Sequence, residues 1–128
     1  MSNHLEHAKQ ILTVTSCSTH GPLIHKKAIE KVSAHVHDAV ERGAQILVGG
    51  HAIDGPGSFY APTVLADVPV GALINTEETF GPVAPLIKFD TEEEVIKLAN
   101  DTDVGLAGYF YSRDVGRVWR VAEAVSCS

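Results

Sequence analysis

Apolar residues recur at three- and four-residue intervals along the first half of the chain. Ala28, Ile29, Val32, Val36, Ala39 and Val40 fall on one face of a helix. Gly43 follows as a residue suited to a left-handed C-terminal cap, so the spacing predicts a helix from about His25 that ends at Gly43. The period then shortens. Gln45-Ile46-Leu47-Val48 reads as a short apolar strand stopped by Gly49-Gly50, and Asp54-Gly55-Pro56-Gly57 is turn chemistry. Residues 59–67 read as an extended segment. Pro62 interrupts it and has no N–H to give to a ladder, which predicts an edge or irregular position. Residues 82–89 form a second apolar strand whose pairing Pro85 limits.

The C-terminal third repeats the alternation. Asp90-Thr91-Glu92-Glu93-Glu94 opens a helix with carboxylates in its first turn, where they meet the positive end of the helix dipole, and Val95, Leu98 and Ala99 supply its buried side. Residues 105–112 are mostly apolar and carry Tyr109, Phe110 and Tyr111, so a buried strand is predicted there. Val115, Val118, Val121, Ala122 and Val125 predict a final amphipathic helix, with Arg113 and Arg117 near its beginning. At the opposite end, Asn3 and Glu6 fit a capping box ahead of Leu5, Ala8, Ile11 and Leu12, which predicts a short helix over residues 4–12. Alternating strands and helices argue for an α/β fold with at least some parallel pairing.

Composition narrows the function classes. A chain of 128 residues fits one domain, and a domain near that size hides roughly two-thirds of the surface its unfolded chain exposes. Asp and Glu number 16 against 10 Lys and Arg, the formal charge is -6 and no basic run occurs, so the footprint of a nucleic-acid binder is missing. No apolar segment approaches the roughly 20 residues of a membrane-spanning helix, and no targeting signal is evident at the N-terminus. A soluble cytoplasmic protein is expected. Cys17 and Cys127 are too few and too separated for a disulfide framework or a zinc ligand set.

Candidate chemistry is sparse on residue grounds alone. Cys17 has only His20 nearby as a partner that could lower its pKa, and reads as a small side chain in a connecting segment. His4 and His7 lie one helical turn apart, but no motif completes a tetrahedral set. His35 and His37 point in different directions on a helix. These histidines read as surface residues, with no metal site expected. The glycine groups lack the spacing of phosphate-binding loops. Glu78 alone would be an exposed carboxylate before a Gly-Pro turn, and Phe80 an aromatic anchoring that turn.

The segment Glu77-Glu78-Thr79-Phe80-Gly81-Pro82-Val83-Ala84-Pro85-Leu86-Ile87-Lys88-Phe89 resembles a cofactor-contacting loop of the aldehyde dehydrogenase family. Gly21-Pro22-Leu23-Ile24, Phe59-Tyr60-Ala61-Pro62-Thr63-Val64-Leu65, Gly105-Leu106-Ala107-Gly108-Tyr109-Phe110-Tyr111-Ser112 and Trp119-Arg120-Val121-Ala122-Glu123 extend the resemblance over most of the chain from Gly21 to Val125. The wording is closest to the succinate-semialdehyde branch. The resemblance implies a partial catalytic domain over residues 21–128, with a mixed or parallel sheet and flanking helices, after an unmatched extension over residues 1–20. It implies NAD or NADP as cofactor. By resemblance, Glu78 accepts hydrogen bonds from the hydroxyls of the nicotinamide-side ribose, and Phe80 packs against the same end of the cofactor.

The family's reactive cysteine follows a Gly-Gln pair, a pattern that neither Cys17 nor Cys127 shows, and its general-base glutamate and nucleotide-binding domain have no counterpart here. No catalytic residue is assigned. The chain is therefore expected to be inactive alone in oxidising succinate semialdehyde to succinate, and to form a homo-oligomer or to pair with a complementary dehydrogenase fragment. The alternative is a non-catalytic binding or interaction protein derived from the family.

Overall fold

The computed structural model describes residues 20–101 and 107–125. The helix expected over residues 4–12, and both Cys17 and Cys127, lie outside the described residues. The chain divides into two compact units at the junction of Ile87 and Lys88.

The first unit is built on α1, Lys26–Glu41. His25 caps its N-terminus, its ring Nδ1 accepting from the Ala28 amide at 3.1 Å. At the other end Gly43 takes φ +112°, its amide donates to Val40 at 3.0 Å, and the Ala44 amide donates to Ala39 at 2.9 Å. That pair of bonds is a Schellman cap, which needs a residue free of the left-handed penalty at this position. Val32, Val36 and Ala39 of the predicted stripe are buried, whereas Val40 is exposed and His35 is buried in its place.

A three-stranded sheet lies in the order β1 (Gln45–Val48), β2 (Thr63–Ala66), β3 (Val83–Pro85). β1 and β2 are antiparallel with an irregularity between Ile46 and Val48, and β2 and β3 are parallel. The mixed pairing is that of an α/β sheet. Of the edge or irregular position expected from Pro62, the edge is corrected and the irregular position is what the structure has: β2 is the central strand, and Pro62 stands just before Thr63, where its missing N–H costs no ladder bond. Pro85 does fall at an edge, in a strand of three residues whose register continues as the Leu86 amide donates to Leu65.

Leu65 and Ala72 are fully buried and pack in one core with Val32, Val36, Tyr60 and Val68. Burial of a leucine side chain of this kind stabilises by about 1.5–3 kcal/mol. The Tyr60 hydroxyl shares this core, which raises its pKa, offset in part by a hydrogen bond with Ser33. A short helix α2, Leu73–Thr76, is tied to α1 by Asp38, which accepts from the Leu73 amide at 2.8 Å and from Arg42 Nε at 2.8 Å. Those two bonds, the backbone one foremost, hold the Asp38 carboxyl below its usual pKa.

The second unit contains α3, Glu92–Asn100, and α4, Val115–Ala124. Thr91 caps α3 by accepting from the Glu94 amide at 3.1 Å, and Asp114 caps α4 by accepting from the Arg117 amide at 3.1 Å. Glu92 joins the two helices, accepting from Arg117 Nε at 2.9 Å and from Arg120 Nε and Nη2 at 3.0 and 3.1 Å. The strand expected at residues 105–112 is absent from the described part of that stretch: residues 107–111 are exposed, with Tyr109 and Tyr111 at 86% and 96%. Apolar composition registers what a surface would gain by being covered. It does not supply the neighbouring strand that a ladder requires.

Candidate functional site

Residues 77–82 connect α2 to β3 and are anchored from two sides. On one side the loop meets α1. His35, only 3% exposed, lies 2.6 Å through Nδ1 from Thr79 Oγ1 and 3.4 Å through Nε2 from Glu77 Oε2. Lys31, one turn earlier, reaches the same Glu77 oxygen at 3.6 Å. Gly81 lies directly against Val32, with no room for a side chain. On the other side the Thr63 amide of β2 donates to the Pro82 carbonyl at 2.8 Å.

These anchors hold residues 77, 79, 81 and 82 and leave Glu78 and Phe80 projecting. Glu78 is exposed, and Phe80 is 75% exposed despite being a large aromatic on a well-anchored loop. Both line an open groove of about 770 Å3 between the loop and the start of α1, where Ile24, Lys27 and Val32 form much of the opposite wall. The lining is mainly apolar, with Glu78 and the ammonium groups of Lys27 and Lys31 as its charges. A flat ring can stack on Phe80, and a vicinal pair of hydroxyls can donate to the two oxygens of Glu78.

The structure thus brings together both expected site residues and adds Thr79 and Lys31, and it corrects the reading of His35 as a surface residue, since that ring is buried against the loop. The signal for His35 was present, since it stands three residues after Val32 and four before Ala39 on the apolar stripe. His37 points to solvent and pairs with Glu41 at 3.4 Å, as two-residue spacing on a helix requires. Among the described residues no cluster of three or more His, Cys, Asp or Glu could hold a metal ion, and no helix is long and apolar enough to cross a membrane.

Comparison with known proteins places this loop in a wider context. The sequence profile of the aldehyde dehydrogenase family matches residues 3–128. The mitochondrial succinate-semialdehyde dehydrogenase of Rattus norvegicus is 58% identical over 106 residues, covering 83% of this chain and 20% of the relative. The NADP-dependent succinate-semialdehyde dehydrogenase of Escherichia coli is 54% identical over 107 residues, covering 84% of this chain and 22% of the relative. A glutarate-semialdehyde dehydrogenase of Pseudomonas putida is 56% identical over 108 residues, covering 84% and 22%. Among solved structures, an E. coli NADP-dependent enzyme superposes with a TM-score of 0.90 at 45% identity, covering 98% of this chain and 27% of that one. The succinate-semialdehyde dehydrogenase of Burkholderia pseudomallei gives 0.87 at 47% identity, covering 98% and 27%. The chain spans about a fifth of the length of the curated relatives it matches.

Proposed function

We propose, from the premise that this chain belongs to the aldehyde dehydrogenase family, that it supplies the nicotinamide-side grip of an NAD(P)-dependent semialdehyde dehydrogenase. The observation that carries this reading is the projection of Glu78 and Phe80 from a loop whose alternate residues are pinned. The donor set suits the cofactor: a carboxylate with two acceptor oxygens for the ribose diol, an aromatic face for the ring, and an apolar groove beside them. A bound nicotinamide would supply the acceptor for a hydride from the reacting carbon. Glu78 would hold the ribose through its hydroxyls. Phe80 would limit the tilt of the ring. Orientation of this sort is a large part of what an enzyme contributes to a transfer between two bound groups.

The ribose contact is common to NAD and NADP, so the loop accepts either. The names of the relatives support a semialdehyde substrate, with succinate semialdehyde first. Because neither Cys17 nor Cys127 follows a Gly-Gln pair, the 128 residues by themselves grip without reacting. Tyr109, Tyr111 and Trp119 project from the second unit, which supports association with further polypeptide, a second copy foremost. The same exposure favours the alternative of a non-catalytic interaction protein.

Saturation-transfer NMR of the full chain with NADP+ tests the grip. Transfer to the nicotinamide and its ribose should exceed transfer to adenine, and Glu78→Gln and Phe80→Ala should each reduce it. Transfer that both variants leave unchanged would exclude the loop as the site.

A further inference from the structure

We infer that His35 is a positioning residue: from inside the core it sets the direction in which Glu78 and Phe80 project. The inference rests on the reading of those two side chains as the cofactor contact and concerns how they are held. His35 touches residues 77 and 79, the immediate neighbours of Glu78 on both sides. Fixing the residues before and after a position restricts the backbone between them, and with it the direction in which the intervening side chain leaves the chain. Residues 77 and 79 are held by His35 of α1, and residues 78 and 80 line the groove that the loop forms with the start of that helix.

A buried histidine that merely fills space would be the plainer reading. The bonding argues against it. An imidazole at 3% exposure between Val32, Val36 and Ala39 occupies a site where an aliphatic or aromatic side chain of similar volume would stabilise without having to satisfy two ring nitrogens. Both nitrogens here face loop partners, and among the described residues no buried side-chain polar atom is left without one. A buried imidazole with both ring nitrogens facing partners selects one loop geometry more sharply than it adds stability. Thr79 extends the register, since its hydroxyl also lies 3.4 Å from the Glu77 carbonyl. One side chain from α1 thus locks both flanks of Glu78. Lys31 reinforces the Glu77 side from the exposed edge, so the histidine is the only buried member of the three.

The test measures loop order and ligand binding separately from folding. Backbone relaxation of the full chain should give order parameters of about 0.85 at Glu78 and Phe80, falling below about 0.6 in Thr79→Val and in His35→Phe while the amides of α1 stay rigid. Affinity for nicotinamide mononucleotide should fall about tenfold in both variants, read under conditions where Thr79→Val is fully folded. Thr79→Ser, which keeps the hydroxyl, should restore both readouts. Should His35→Phe fail to fold, the two Thr79 variants decide alone. Unchanged order and affinity in Thr79→Val would overturn the positioning role, as would a loop already mobile in the parent chain. Failure of the cofactor reading looks different: Glu78→Gln then binds the mononucleotide as the parent does, whereas the order parameters still report on His35.

Discussion

Gly81 faces Val32 so closely that a Cβ built on the glycine would stand 2.5 Å from Val32 Cγ2. Val32 is 1% exposed in the middle of the core, so it has nowhere to retreat. The Gly81→Ala chain must therefore push the loop outward or the helix inward. Overpacking of this kind costs about 1–3 kcal/mol. The expected result is a lower urea midpoint with unchanged slope. A parent-like midpoint would mean that the contact is slack.

Leu65 is fully buried on the central strand, where sheet and helix meet. Leu65→Ala is expected to cost about 2–5 kcal/mol, measured by chemical denaturation, because both the transfer free energy and the residual cavity count against it. A loss under about 1 kcal/mol would indicate that the core collapses around the gap.

Acid should weaken the brace between α3 and α4. Hydrogen bonds from Arg120 and then Arg117 lower the pKa of Glu92 below its usual 4.5. A group whose folded pKa is depressed contributes stability above its unfolded value and loses it as pH falls through the folded one. Amide protection factors in α3 and α4, which correct for the intrinsic base catalysis of exchange, should therefore be steady at pH values above about 4.5 and fall below it. Glu92→Gln should exchange faster at neutral pH and lose that part of the acid dependence. The pair is exposed, so added salt should shrink the difference.

Purified chain should not reduce NAD or NADP with succinate semialdehyde, followed at the absorbance band of the reduced nicotinamide. Covalent catalysis and hydride positioning together account for many orders of magnitude of rate, which a ribose contact cannot replace. Turnover lost in Cys17→Ala would identify Cys17 as a nucleophile and overturn the grip-only reading.

Tyr109, Tyr111, Val115 and Trp119 are all more than two-thirds exposed or close to it, at 86%, 96%, 72% and 67%. Large apolar side chains so placed are expected to associate. Light scattering at micromolar concentration should show a dimer or a larger species, and Tyr111→Ser with Trp119→Ser should shift it toward monomer. A monodisperse monomer of the parent chain would contradict the association.

Much of this was legible in the sequence, for reasons that can be traced to particular residues. Helix α1 could be read because Val32, Val36 and Ala39 repeat at helical spacing and Gly43 closes the run. The caps at Thr91 and Asp114 add local bonding that needs no distant partner, and both helix starts were foreseen, the first from its carboxylates and the second from the spacing that begins at Val115. What depended on distant pairing was less visible. Pro62 suggested an edge because the sequence does not show that its own N–H position precedes the ladder, and residues 107–112 suggested a strand because apolar side chains do not reveal whether a neighbour is at hand. At the candidate site, Glu78 and Phe80 were singled out through resemblance. The burial of His35 was signalled by its place on the apolar stripe, but its contacts were not, since its partners Glu77 and Thr79 lie more than forty positions away along the chain, at a separation of 44 for Thr79.

That separation has an evolutionary reading. The contacts that tie down residues 77–82 come from Lys31, Val32, His35 and Thr63, all upstream in the same compact unit. The loop proposed to grip the ribose thus takes these anchors from its own unit. Such a piece is inheritable as a cassette: recombination that exchanged residues 20–87 between two related enzymes would transfer the grip intact, whereas a crossover falling between Thr63 and Glu77 would pair each loop with a foreign helix and spoil it.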